Sequence, residues 1–420
     1  MDAEGKEKIK DDKEISRIPV GELKPGMYLH DLGLDWLRHP FLTNSFYLDA
    51  PSINKIRQLG VDHVWIDESK KVEQDKVEEK NSEEAVRSKQ GKRPKSKKVV
   101  PSLEQAQETT LEARETVQEL FRGVYHQEEF PNFKGLQSTA DELLTSVANN
   151  PAAMLSVGRL RTRDGYTYEH SVNCGVLMMI FASFYGLGEY HVRTLGIAGF
   201  LHDIGKVRVP NEILQKPGAL TDEEFTEIKK HSSHGYQILK DTPGIPEKAL
   251  EVARLHHERV DGKGYPDALP ESKIPFEARL AAIVDVYDAL TAVRCYKDGM
   301  TPTQALRQMM AEAGAKFDQN LFKRFIKCIG VYPPGSIVRL SNGQLGVVEN
   351  VSRENSAKPI VRVVYDIERE EHIDPPRVIN VSRENGLSVI SSESLTDWAF
   401  LEERLLVSGN SQAHVNGSLK

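Results

Sequence analysis

From residue 136 to about residue 330, apolar side chains recur at intervals of three and four with scarcely any strand-like alternation; beyond Tyr332-Pro-Pro-Gly335 the period drops to two. The first pattern centres on residues 136–148, 171–185, 191–202, 223–239, 246–256, 276–293 and 302–313, and predicts helices that bury one face each in an all-α domain. In the second, Ile337, Arg339 and Ser341 alternate with Val338 and Leu340. Asn342-Gly343 is a strong hairpin turn, and strands at 345–348 and 360–365 extend a small sheet.

Ahead of the helical region, residues 18–29 read as extended chain with turns at Gly21 and Pro25-Gly26, followed by a strand at 46–48. A short helix capped by Ser52, carrying Ile53, Ile56 and Leu59 and ended by Gly60, then precedes a strand at 61–66. Residues 68–100 mix charges, almost lack large apolar residues and end in a basic run, so they cannot bury a core and read as linker. After Pro101, Leu103, Ala106, Thr110, Ala113, Val117 and Leu120 share a helical face. Small and polar residues along that seam favour a packing helix over a dimeric coiled coil. The expected chain is multidomain and mainly α. Residues 1–15 are disordered, 16–67 form a small α/β N-terminal domain, 68–100 a charged linker and 101–135 a connecting helix. Residues 136–330 form the helical domain, 331–405 a small β-sheet extension, and 406–420 a disordered tail.

The 420-residue length fits several domains, and 39% hydrophobic with 28% charged residues is an ordinary globular composition. With 62 acidic against 55 basic residues and a net charge of −7, the chain is a poor partner for a nucleic-acid polymer, though a local basic pocket can still take a small anion. The cysteines, Cys174, Cys295 and Cys328, are odd in number and far apart, which excludes a disulfide framework and points to a reducing cytoplasm. The charged start has no apolar core of a secretory signal. The most apolar run, 176–187, falls short of the ~20 residues of a membrane span, so a buried helix and no membrane span are expected.

Histidines concentrate in the helical region: His170, His191, His202, His231, His234, His256 and His257 lie between residues 165 and 260. A lone histidine on an apolar helix is ordinarily a hydrogen-bonded core residue, and His126 and His191 are read so. Pairing with acids is different: His202-Asp203, His256-His257-Glu258, and Asp285 with Asp288 on one helix. Imidazole with carboxylate suits iron, manganese or zinc, and this inventory exceeds one tetrahedral shell, so two metal ions fit better than one, with Asp203 able to bridge them. Lys206 follows His202 by one helical turn, if the helix persists, and its amine then projects near the metals. The glycine-rich turn 261–266 shapes the rim of a pocket.

His202-Asp203 with Lys206, and His256-His-Glu-Arg-Val-Asp-Gly-Lys-Gly-Tyr-Pro266, resemble the motifs of the HD-GYP family, a branch of the HD metal-dependent phosphohydrolases that hydrolyses the bacterial second messenger cyclic di-GMP. The resemblance covers residues 140–330. The first segment resembles a small domain often found ahead of such domains. The resemblance implies an HD-type helical fold, metal ligands at His170, His202, Asp203, His231, His256, His257 and Asp285, and catalytic roles for Asp203 and Lys206. It also implies phosphate contacts from Arg294 and Lys297, and a substrate rim of Asp261, Gly262, Gly264, Tyr265 and Pro266 that fits around a guanine or meets a protein partner. His234 stands where the family has an apolar residue and is left out. Some members carry a glutamate four residues before the first histidine and hold three metals; here Tyr166 occupies that position and Glu169 points elsewhere, so two ions, iron or manganese, are expected. The activity implied is cyclic di-GMP phosphodiesterase, giving linear pGpG and, slowly, GMP. The alternatives are a non-catalytic protein binding cyclic di-GMP or a partner, and an HD phosphohydrolase for another cyclic dinucleotide or nucleotide. A homodimer is left open.

Overall fold

The computed structural model of the protein describes residues 15–31, 46–58, 61–67, 102–126, 133–159, 166–214, 216, 218–292, 299–352, 355–394 and 397–401. The N-terminal unit is an antiparallel sheet in the order β1 (Ile15–Pro19), β4 (His63–Asp67), β2 (Tyr28–Asp31), β3 (Phe46–Tyr47), with helix α1 (Ala50–Gln58) packed on it. Ile53 and Ile56 of α1 join Ile18, Leu29, Val64 and Ile66 in its core. The cap of α1 is Asp49 rather than the expected Ser52: the Asp49 carboxylate accepts from the Ser52 amide at 2.7 Å, so the helix begins earlier.

The helical body runs through α2 (Leu103–Tyr125), α3 (Phe133–Asn149), α4 (Pro151–Val157), α5 (Tyr166–Tyr185), α6 (Glu189–Leu201), α7 (Asn211–Leu214), α8 (Asp222–Lys240), α9 (Glu247–Leu255), α10 (Phe276–Thr291), α11 (Pro302–Glu312) and α12 (Gln319–Ile329). Ala106, Val117 and Phe121 of α2 enter the same apolar core as Phe181 of α5, Phe200 of α6 and Phe325 of α12. Helix α5 is apolar around its circumference because it is central. A Cβ on its Gly175 would lie 2.2 Å from the Phe200 ring, and one on Gly199 would lie 2.6 Å from Gly175 Cα, so these two glycines permit the close crossing of α5 and α6. No helix among the described residues is long and apolar enough to cross a membrane.

The C-terminal sheet is antiparallel in the order β8 (Glu371–Asn380), β7 (Ile360–Asp366), β6 (Gln344–Asn350), β5 (Ile337–Leu340), β9 (Val389–Glu393). The turn at Asn342-Gly343 joins β5 to β6, with Gly343 at φ +77°. Strand β8 lies outside the strands read from sequence because it contains Pro375 and Pro376. They sit where its pairing with β7 skips from Tyr365↔His372 to Val363↔Arg377, on an edge where no ladder N–H is needed.

Candidate metal centre

Five elements converge on one end of the helical body. Helix α5 carries His170, the end of α6 leads into His202 and Asp203, α8 carries His231, the end of α9 leads into His256 and His257, and α10 carries Asp285 and Asp288. Helix α6 stops at Leu201. Asp203, at φ −101° and ψ 7°, opens a 3-10 turn over Ile204–Arg208. This break turns the neighbouring His202 and Asp203 side chains toward each other, with Nε2 3.3 Å from Oδ2. It also changes the expected position of Lys206: the ammonium reaches Asp203 Oδ2 at 2.5 Å across the tight turn, instead of lying one α-turn above His202. Gly205 lets that turn press on α8, for a Cβ there would lie 1.9 Å from the His231 carbonyl oxygen.

The imidazoles are oriented by their outer nitrogens. Nδ1 of His202 bonds the Gly199 carbonyl at 2.7 Å, that of His231 the Ile228 carbonyl at 2.6 Å, and that of His256 the Val252 carbonyl at 3.0 Å. A carbonyl can only accept, so each Nδ1 carries a proton and, in the neutral imidazole, Nε2 is the lone-pair nitrogen turned inward. Nδ1 of His170 lies 2.7 Å from Asp288 Oδ2, which points its Nε2 inward, 3.1 Å from Asp285 Oδ1. Asp203 stands between two sets. Its Oδ2 lies 3.3 and 3.7 Å from Nε2 of His202 and His170, and its Oδ1 lies 3.4 and 3.9 Å from Nε2 of His231 and His256. His257 reaches Asp285 Oδ2 only at 3.9 Å, but its ring stands 5.0 Å from that of His231.

These residues fit a metal. The Nε2 atoms of His231 and His256 face each other at 3.3 Å with no proton to share, an arrangement that repels unless a cation lies among them. Buried His202 Nε2 and Asp203 Oδ1 have no hydrogen-bond partner among the described residues. Burial and the neighbouring imidazoles hold His256 well below the usual histidine range; burial takes His231 to about 3 and His257 to about 4. Burial works against the charged form of Asp203, but Lys206, His202 and His231 outweigh it and keep the carboxyl ionised, ready to offset a cation. Cys174 lies 3.7 Å from His170 Nδ1, yet burial pushes its thiol up to about 12, so it stays protonated at neutral pH.

The rim loop is pinned from behind. Buried Glu258 accepts the amides of Asp267 at 2.7 Å and Leu269 at 3.0 Å, and Arg254 forks onto Asp267. Gly264 passes so close to Glu258 that a Cβ would lie 2.5 Å from its Cα, and Gly262 has φ +71°. Tyr265, followed by a cis bond to Pro266, lays its ring 4.7 Å from that of His257. Asp261 has its carboxylate on Arg259 at 2.6 Å. Arg294, Lys297 and the Tyr166 side chain lie outside the described residues. His126 and His191, read as core histidines, are exposed, because each sits at a helix end rather than on a buried face. Sequence reasoning counted Asp288 and Glu258 among the acids paired with histidines but gave neither a role in the site. The spacing of Asp288, one turn beyond Asp285, was the available signal. Glu169 does point elsewhere, into an ion pair with Arg114 at 2.8 Å.

Residues 167–321 match the HD domain family, and residues 15–131 match a domain of unknown function. A cyclic di-GMP phosphodiesterase of Pseudomonas aeruginosa is 36% identical over 393 residues, covering 92% of this chain and 94% of the relative. A cyclic di-GMP phosphodiesterase response regulator of Xanthomonas campestris is 40% identical over 37% of this chain and 42% of its own length. A 3′3′-cGAMP-specific phosphodiesterase of Vibrio cholerae is 36% identical over 46% of this chain and 35% of its own length.

Proposed function

The chain belongs to the HD-GYP branch of the HD-domain family, and from that premise we propose that it is a cytoplasmic metal-dependent phosphodiesterase that opens cyclic di-GMP to linear pGpG at the His/Asp centre. The observation that carries this reading is Asp203, one buried carboxylate with each oxygen turned to a different pair of imidazole Nε2 atoms. His170, His202, Asp203 and Asp285 would hold one divalent cation, and Asp203, His231, His256 and His257 a second; the imidazole and carboxylate donor set is compatible with the iron or manganese that the resemblance implies. When bound, the cations supply Lewis acidity toward water and a phosphate oxygen.

The chain's own residues do the rest. Lys206, tied to Asp203 but still a quarter exposed, presents N–H donors to charge that gathers on the phosphate and its leaving 3′ oxygen. Asp288 holds the His170 ring, and Tyr265 covers His257 and keeps water from that side. Arg294 and Lys297 would clamp the phosphates. The test is anaerobic purification with metal counting, then incubation with cyclic di-GMP and chromatography of products over time. The reading requires metal-dependent pGpG, with GMP later, and fails if the metal-loaded protein binds cyclic di-GMP without cleaving it. The similarity to a cGAMP-specific enzyme makes 3′3′-cGAMP the second substrate to assay. Running Tyr166→Glu alongside tests the two-metal count: a third ion and faster GMP release are expected only in the variant.

A further inference from the structure

Helix α8 does more than supply His231. Two turns before that histidine stands Phe225, whose ring is 45% exposed, and between them Lys229 projects toward the rim loop. The Lys229 ammonium lies 4.5 Å from the Phe225 ring centroid and 5.9 Å from that of Tyr265, whose own ring leans on His257. Among the described residues no carboxylate pairs with Lys229, whereas its neighbour Lys230 is taken by Glu227. An exposed aromatic ring, a cation without an acid and a second ring thus lead outward in sequence from the metal-ligand imidazoles.

We propose that Phe225, Lys229 and Tyr265 form a purine recess of this site, in which a guanine stacks on the exposed aromatic surface while Lys229 donates to its O6 and N7. The assignment rests on the cyclic dinucleotide reading and adds base discrimination to it. A solvent-facing phenyl ring gains by stacking on any base, by about 1–3 kcal/mol, which is roughly 5- to 150-fold in binding. The ammonium makes the choice: guanine presents two acceptors at this edge, whereas adenine presents an amino donor in place of O6, which an ammonium repels.

The test uses the metal-loaded full chain and three substrates: cyclic di-GMP, cyclic di-AMP and bis(4-nitrophenyl) phosphate, a phosphodiester without a base. For Phe225→Ala, the ratio of kcat/KM on cyclic di-GMP to that on the nitrophenyl ester is expected to fall about tenfold, mainly through KM, with metal content per chain retained. Phe225→Trp is expected to hold the ratio. Lys229→Met is expected to reduce the preference for cyclic di-GMP over cyclic di-AMP about tenfold. If both Phe225→Ala and Lys229→Met leave these ratios unchanged in an enzyme that cleaves cyclic di-GMP, the recess is overturned and the phosphodiesterase reading stands. If the unmodified enzyme cleaves the nitrophenyl ester but no cyclic dinucleotide, both are overturned.

Discussion

Replacing Asp288 tests the centre through a residue that need not touch a metal. Its carboxylate, 1% exposed, receives the His170 Nδ1 proton at 2.7 Å and thereby directs Nε2 toward Asp285 and Asp203. A buried hydrogen bond to a charged partner contributes about 1.5–3 kcal/mol, and loss of such an outer partner commonly weakens a metal site about 10- to 100-fold. Asp288→Ala is therefore expected to weaken metal binding on the His170 side by that factor. The set of His231, His256 and His257 shares no bond with Asp288 and should keep its ion. Asp288→Asn retains an acceptor oxygen without the charge and should fall between. Dialysis of each variant against graded chelator, followed by metal counting by mass spectrometry, gives a two-step loss curve in which only the first step moves; thermal melts exclude unfolding. A folded Asp288→Ala protein whose metal release coincides with that of the unmodified protein would refute the role of Asp288.

Three further outcomes follow from the same geometry. Lys206→Ala should retain cyclic di-GMP binding by calorimetry and lose kcat, because its ammonium serves charge that develops during reaction, whereas Arg294→Ala should chiefly weaken binding; the opposite split would exchange their roles. Gly205→Ala places a methyl 1.9 Å from the His231 carbonyl oxygen and 2.4 Å from the Gly235 nitrogen, so the 3-10 turn must lift off α8. About 1–3 kcal/mol of stability and part of the metal should be lost together in melts with metal counting, and a variant with normal metal content would show that the contact is dispensable. In metal-stripped protein, His231 and His257 titrate at about 3 and about 4 against 6.5 for an ordinary imidazole. Below pH 6.5 the unfolded chain therefore binds protons that the folded one refuses, and stability should fall with pH from 6.5 toward about 4, by about 1.4 kcal/mol per unit for each group. His170 is shifted upward and opposes this, one imidazole against the three of His231, His256 and His257. Urea melts at pH 7.5 and 5.5 measure the slope, and a rise in stability toward acid would contradict it.

The parts of this molecule that were legible in the sequence are those where one residue type answers one physical demand. Helix α8 repeats its apolar face, buries Ile238 and Leu239, and opens with the capping box of Thr221 and Glu224, so its extent is readable to within a residue or two. The histidines and aspartates at the centre were legible for the same reason: no core needs so many paired imidazoles and acids. What escaped depends on backbone placed by distant contacts. Whether Lys206 faces Asp203 depends on α6 ending at Leu201, and that end depends on Gly205 meeting α8 some thirty residues later. Pro375 and Pro376 argue against a strand until the edge position and skipped register of β8 are known. His191 has the neighbours of a core histidine but stands in the first turn of α6, where only the following turns are buried. Asp288 is the instructive case, since its type and spacing were visible while its purpose was not. An aspartate one turn after a ligand could equally bind metal, cap a helix or face solvent, and only the packing of α10 against α5 directs it to Nδ1 of His170 rather than to the cluster itself. A donor set can therefore be read from composition and spacing, but the protonation of each imidazole, which decides whether that set binds a cation, is fixed by partners on other elements: Gly199, Ile228, Val252 and Asp288.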